Sequence, residues 1–296
     1  RYSTVLNGSG DRYAAISLRK PKPAAGDDAE VRFERWPVRP DEADLRAYPT
    51  RDGRRVDLID AMLAREGVDL VAWTGPNGTT RVATTRGIVE IRTVTAADEA
   101  AAQGHQLPPA MFEPRYRLEV IEGEDPLGYA GIVNDKYMPA EGEGRPDPAD
   151  ADTWLAETLD TEYPDLVGQI AAYFRSPLAG DLAVFAVPGW DLRTVHRAGH
   201  GGVRPGDMFV PLAIAGPGVP KGVPLDTPVR AVDLVPTLLE LLDATDAVSH
   251  PPGAGPRAVP HSTLDRLGRG HPSGLDGRSL VPVFEAMADR AAAPTE

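Results

Sequence analysis

Three side chains in one short stretch of this 296-residue chain have the types and spacing for metal chemistry: Asp191, His196 and His200. A neutral imidazole binds zinc through either ring nitrogen, and a nearby carboxylate adds an oxygen ligand. His200 is the strongest of the three because it stands in Gly199-His200-Gly201-Gly202. Glycines on both sides of a histidine let backbone and ligand come close without Cβ clashes. The competing reading gives His200 a hydrogen bond within its own loop. His196 lies four residues earlier, a helical spacing for paired ligands, but in a stretch too rich in glycine to read as helix. Asp191 has its own alternatives, bonding loop amides or pairing with Arg193 or Arg197. His250, His261 and His271 fall in a long loop with many Pro and Gly residues and read as solvated. Thr194 is the nearest hydroxyl in sequence, and nothing marks it as an activated nucleophile.

The elements that must hold these groups read as strand, loop, strand. Residues 182–187 form an apolar run stopped by Pro188-Gly189; residues 209–215 form a second, followed by Gly216-Pro217-Gly218. Runs with no polar alternation suit strands covered on both faces. The two are expected to be neighbouring central strands, covered by helices at 166–174 and 234–242. The polar loop leaves the carboxyl end of the first run, where open α/β sheets bind ligands.

Upstream, 13–18 and 31–36 are strand candidates, and Val56, Ile59, Met62 and Leu63 share one helical face. Residues 68–73 read as a buried strand. Turns at 75–78 and 86–87 lead into 79–85 and 88–94, and 116–121 adds one more strand. This meander is expected as a small β-rich cap or insertion beside the main sheet. Asp125 precedes a proline and reads as a turn-fixing carboxylate. The Gly-, Pro- and acid-rich stretch at 140–151 is the internal boundary. It separates an N-terminal α+β part at 1–140 from a boundary and short helix at 141–160 and a C-terminal α/β core at 161–296. Helix alternating with strand makes the fold class α/β, a sheet flanked by helices.

Five segments in order resemble the C-terminal part of the alkaline phosphatase superfamily, in its phosphodiesterase/nucleotide pyrophosphatase and sulfatase-like branches. They are His200-Gly201, Met208 to Leu212, Gly216-Pro217-Gly218, Val232-Asp233 to Pro236-Thr237, and Asp276-Gly277-Arg278-Ser279-Leu280. The resemblance implies an alkaline-phosphatase-like fold and a metal-dependent hydrolase of phosphate esters, with zinc as the divalent ion and His200 matching a ligand histidine. Ser279 then belongs to a closing turn and is structural. There is one departure. Where the family carries Asp-His-Gly at the end of the preceding strand, this chain has Val187-Pro188-Gly189. The nucleophile and the other ligands are expected from sequence upstream, with the chain a fragment that is inactive by itself. A catalytically silent binding or scaffold domain is the alternative, and a non-hydrolysing binder of phosphate-bearing ligands a weaker third.

Composition narrows the partners. A net charge of −13 argues against nucleic acid, whose phosphates need clustered Lys and Arg. No apolar run reaches the roughly 18 residues of a membrane span. Without cysteine there is neither a disulfide framework nor a thiolate metal site. The expected ligand is a phosphate-ester small molecule.

Overall fold

A computed structural model describes residues 3–8, 12–23, 31–94, 114–137, 146–192, 200–225, 227–242 and 278–292. Packing divides the chain into two compact units, one of residues 1–93 and 116–209, the other of residues 94–115 and 210–296.

The first unit is built on an eight-stranded sheet. Its strands are β1 (Thr4–Gly8) and β2 (Tyr13–Leu18), then β5 (Val68–Thr74), β6 (Thr80–Ala83), β7 (Gly87–Val94), β8 (Arg115–Gly123), β9 (Ala149–Asp150) and β10 (Leu182–Ala186). Across the sheet they run β1-β2-β10-β5-β6-β7-β8-β9. The pairs from β1 to β7 are antiparallel. A separate two-stranded sheet pairs β3 (Tyr48–Pro49) with β4 (Arg55–Val56). A large sheet flanked by helices, with a small second sheet, is the expected α/β class. The meander at 68–94 is continuous with the large sheet rather than beside it.

β10 is central because every residue of Leu-Ala-Val-Phe-Ala is apolar and buried. Alternate side chains point to opposite faces. Ala183 and Phe185 join Leu70 and Ala72 of β5 on one face; Leu182 and Val184 join Val71 and Trp73 on the other. The first face is covered by α3 (Ala130–Lys136), α4 (Ala151–Thr158) and α5 (Leu166–Phe174), which contribute Val133, Trp154, Leu166, Val167 and Ile170. The second is covered by Leu45 of α1 (Glu42–Arg46) and Ile59 of α2 (Leu58–Leu63). Each fully buried Leu, Ile or Val of these layers contributes roughly 1.5–3 kcal/mol. The sheet takes strands from both sides of the 141–160 stretch, with β10 lying between β2 and β5. Among the described residues no helix is long and apolar enough to cross a membrane.

A short helix, α6 (Pro205–Met208), closes the chain's course through the first unit. The second unit holds α7 (Leu234–Leu241) and α8 (Val281–Ala292). Leu280, Phe284 and Met287 form its buried cluster, with Ile214, Val219, Leu225, Val229 and Leu241 against them. Here one expectation is corrected: residues 209–215 form no strand and do not neighbour β10 in the sheet. Phe209, Val210 and Leu212 are exposed. Pro211 is the physical reason, since a residue without an N–H cannot donate in a central ladder. Residues 31–36 likewise give only an isolated bridge, Pro21 to Phe33.

Candidate functional site at the carboxyl end of the central strand

In an antiparallel sheet the carboxyl end of one strand lies beside the amino ends of its neighbours. Phe185 faces Tyr13 of β2, and Ala186 faces Val68 of β5. Arg12, Asp69 and the chain leaving β10 therefore converge at one end of the sheet.

The strand itself prepares the position of Asp69. Phe185 pairs with Leu70 and Ala186 with Val68, so Asp69 is the extra residue of a bulge in β5. A bulge re-aims the side chain it carries. Asp69 meets Tyr163, whose Oη donates to Asp69 Oδ1 at 3.0 Å. Arg204 completes the group, placed by Val203, which is buried in the same cluster as Tyr163. Arg204 Nε donates to Asp69 Oδ2 and Nη2 to Oδ1, both at 2.7 Å, a bidentate fork. Nη2 also donates to Tyr163 Oη at 2.8 Å, Nη1 pairs with Glu162 at 2.8 Å, and the guanidinium lies 4.1 Å above the Tyr163 ring centroid. The hydrogen bond to Asp69 pushes the Arg204 guanidinium still further above its ordinary value. Arg204 in turn holds the Glu162 carboxyl below the usual range, and burial raises the Tyr163 phenol.

A second cation, Arg12, ties the other end of the loop. Its amide donates to the His200 carbonyl at 3.3 Å, and its Nη1 to the Val187 carbonyl at 3.4 Å. Arg12 Nε lies 3.4 Å from Asp191 and Nη1 lies 3.9 Å from Asp207. The loop passes so close to Asp207 that a Cβ on Gly202 would sit 2.0 Å from its Oδ2. Close approach, not turn geometry, is what calls for glycine there. Val187 donates its amide to the carbonyl of Gly67, where an added Cβ would meet the Trp190 ring at 2.5 Å.

The expected ligands fall as follows. His200 is exposed, and Asp191, also exposed, faces Arg12, while Arg193 and Arg197 lie outside the described residues. His196 and Thr194 lie outside the described residues, as do His250, His261 and His271. Among the described residues no group of three or more His, Cys, Asp or Glu comes together to hold a metal ion. Asp191 and His200 by themselves make no complete metal site among the described residues. Asp69, Tyr163, Arg204 and Arg12 were missed from sequence. Asp69 carried a signal: one carboxylate inside Val68-Asp69-Leu70-Val71-Ala72-Trp73 needs a cation if that run is buried.

Two of the motif segments meet in the second unit. The buried Asp233 accepts from the amides of Arg230 at 2.8 Å and Arg278 at 2.9 Å. Thr237 Oγ1 accepts from the amide of Leu280 at 2.9 Å while donating to the Asp233 carbonyl at 2.6 Å. Asp233 thus serves the turn before α7 and the chain entering α8. Ser279 accepts from the amide of Val281 at 3.2 Å, a structural bond as expected. Asp125 accepts from the amides of Leu127 and Ala130 and fixes its turn.

Comparison with known proteins gives no matching family model, and no match among curated proteins or solved structures.

Proposed function

We propose that this chain is the C-terminal portion of a metal-dependent phosphodiesterase- or phosphatase-like hydrolase of phosphate esters, with an alkaline-phosphatase-like fold. The observation that carries the reading is the clasp between Asp233–Thr237 and residues 278–280. Residues 43 and 45 positions apart, in two of the segments that resemble the superfamily, hydrogen-bond directly to each other. The position of the Gly-rich loop supports it too, since His200 sits exposed beside the carboxyl end of the central strand. In this reading Arg204, Asp69, Tyr163 and Arg12 anchor the loop. His200 is the metal-contacting group, with Asp191 and His196 as candidate co-ligands. A divalent ion, zinc by the resemblance, would withdraw charge from the phosphoryl oxygens of a small phosphate ester. The nucleophile and remaining ligands are assigned to sequence upstream.

One observation favours the silent binding or scaffold alternative. Where the family carries a ligand pair, Val187 uses both backbone groups structurally, toward Gly67 and Arg12. The test is turnover of a chromogenic phosphodiester by the purified chain with added zinc. The expected result is no turnover above buffer. Chelator-sensitive turnover that survives His200→Ala would place the chemistry elsewhere and overturn the assignment.

A further inference from the structure

The carboxylate expected as a metal co-ligand already has a cation. Asp191 Oδ1 lies 3.4 Å from Arg12 Nε. The backbone of Arg12 is fixed at both of its polar groups. Its amide donates to the His200 carbonyl at 3.3 Å, and its carbonyl accepts from the amide of Ala186 at 2.9 Å. The first bond ties it to the histidine assigned to the metal, the second to the last residue of β10. The positive charge of Arg12 is thereby anchored at the loop, between the backbone of His200 and the carboxylate of Asp191.

The same guanidinium has other acceptors within reach. Nη1 donates to the Val187 carbonyl at 3.4 Å and lies 3.9 Å from Asp207 Oδ2. The Asp207 side chain is 17% exposed, that of Asp191 44%. Departure of Asp191 therefore leaves Arg12 beside a carbonyl and a second carboxylate rather than as a stranded charge. For Asp191 the cost of leaving is small, since water screens an exposed ion pair.

We infer that Arg12 and a divalent cation are alternative partners of Asp191, so that a metal gains this carboxylate only as Asp191 turns away from Arg12. The inference rests on the proposed metal-contacting role of His200, and it makes Arg12 a positioning residue that sets metal affinity from within the chain. Like charge sets the scale. A doubly charged ion about 6 Å from a guanidinium is repelled, even at the dielectric constant of water, by enough to lower affinity about tenfold. Arginine does not give up its proton in proteins, so the competition persists at every working pH.

The test is zinc titration of the full chain at low salt, by calorimetry, in the parent, Arg12→Gln and Arg12→Lys. Arg12→Gln should bind zinc about tenfold more tightly, and the gain should shrink as salt is raised. Arg12→Lys keeps the charge and should stay within about threefold of the parent. Asp191→Asn should reduce the gain, because the contested carboxylate is gone. A measurement on the parent itself guards against a variant that fails to fold: saturating zinc should move the nitrogen-15 resonance of Arg12 Nε, assigned by its loss in Arg12→Lys. Equal or weaker zinc binding in folded Arg12→Gln, or an unmoved Arg12 resonance in the zinc-loaded parent, overturns the inference while zinc at His200 stands. Zinc that leaves the His200 imidazole unmoved in parent and variants overturns both readings.

Discussion

Replacing Arg204 by Met removes the only cation paired with Asp69 among the described residues; the Asp69 side chain is 6% exposed. Two charge-assisted bonds of 2.7 Å are lost, and the carboxylate keeps one neutral donor, Tyr163. Removing one partner of a buried pair costs about 3–5 kcal/mol, because the other charge stays buried. Arg204 is itself 19% exposed, and its second acid, Glu162, is 58% exposed, so part of the pairing is screened by water. The expected loss is therefore about 2–4 kcal/mol. Urea denaturation followed by tryptophan fluorescence is a clean assay, since Trp36, Trp73, Trp154 and Trp190 all belong to the first unit. Asp69→Asn removes the stranded charge, so the double variant should be more stable than the sum of the singles by at least about 1.5 kcal/mol. An Arg204→Met variant within about 0.5 kcal/mol of the parent would refute the buried-pair reasoning.

Three further outcomes follow from the same structure. Asp233→Ala leaves the amides of Arg230 and Arg278 without their acceptor, at a cost of about 2–3 kcal/mol. Faster hydrogen exchange at Leu280 with unchanged tryptophan unfolding would check that the loss stays in the second unit. Burial raises the Asp181 carboxyl above its usual value, only partly offset by the Leu18 amide and Arg39. The folded state then holds the proton more tightly, so this group's contribution is most favourable in acid and is lost as pH rises through the raised value. Asp181→Asn should be neutral or stabilising at pH 7, its advantage shrinking as pH falls; a variant markedly less stable at pH 7 would contradict this. Gly202→Ala must push Asp207 away from its Cβ and so loosen Arg12, which protease cleavage near residue 200 would report.

The elements legible in the sequence were those that carry most of the buried apolar residues of the first unit. β5, β10 and α5 lie within a residue of their expected bounds, because the strands are apolar runs covered on both faces and the helix repeats its apolar residues at helical spacing. Residues 209–215 had the same composition and misled, since Pro211 removes the donor that a central strand needs. The site was legible only as a loop. His200 and Asp191 were visible as residue types, but the partners fixing their surroundings come from far along the chain. Asp69 and Arg204 are 135 residues apart, and a bulge aims one at the other. Arg12 precedes β2 with no local mark of its use, yet it meets Asp191, Asp207, Val187 and His200. Spacing along the sequence carries no trace of such pairings, because they depend on strand order.

The claim that the loop after β10 is the ligand end of the domain, with His200 as its metal-contacting group, is most directly tested by zinc titration of the chain. The six histidines would be followed by nitrogen-15 NMR of their imidazoles. The account predicts that His200 responds first, with weak affinity, and that His200→Ala abolishes the response while leaving tryptophan unfolding unchanged. A His200 resonance unmoved by zinc up to about 1 mM would contradict it.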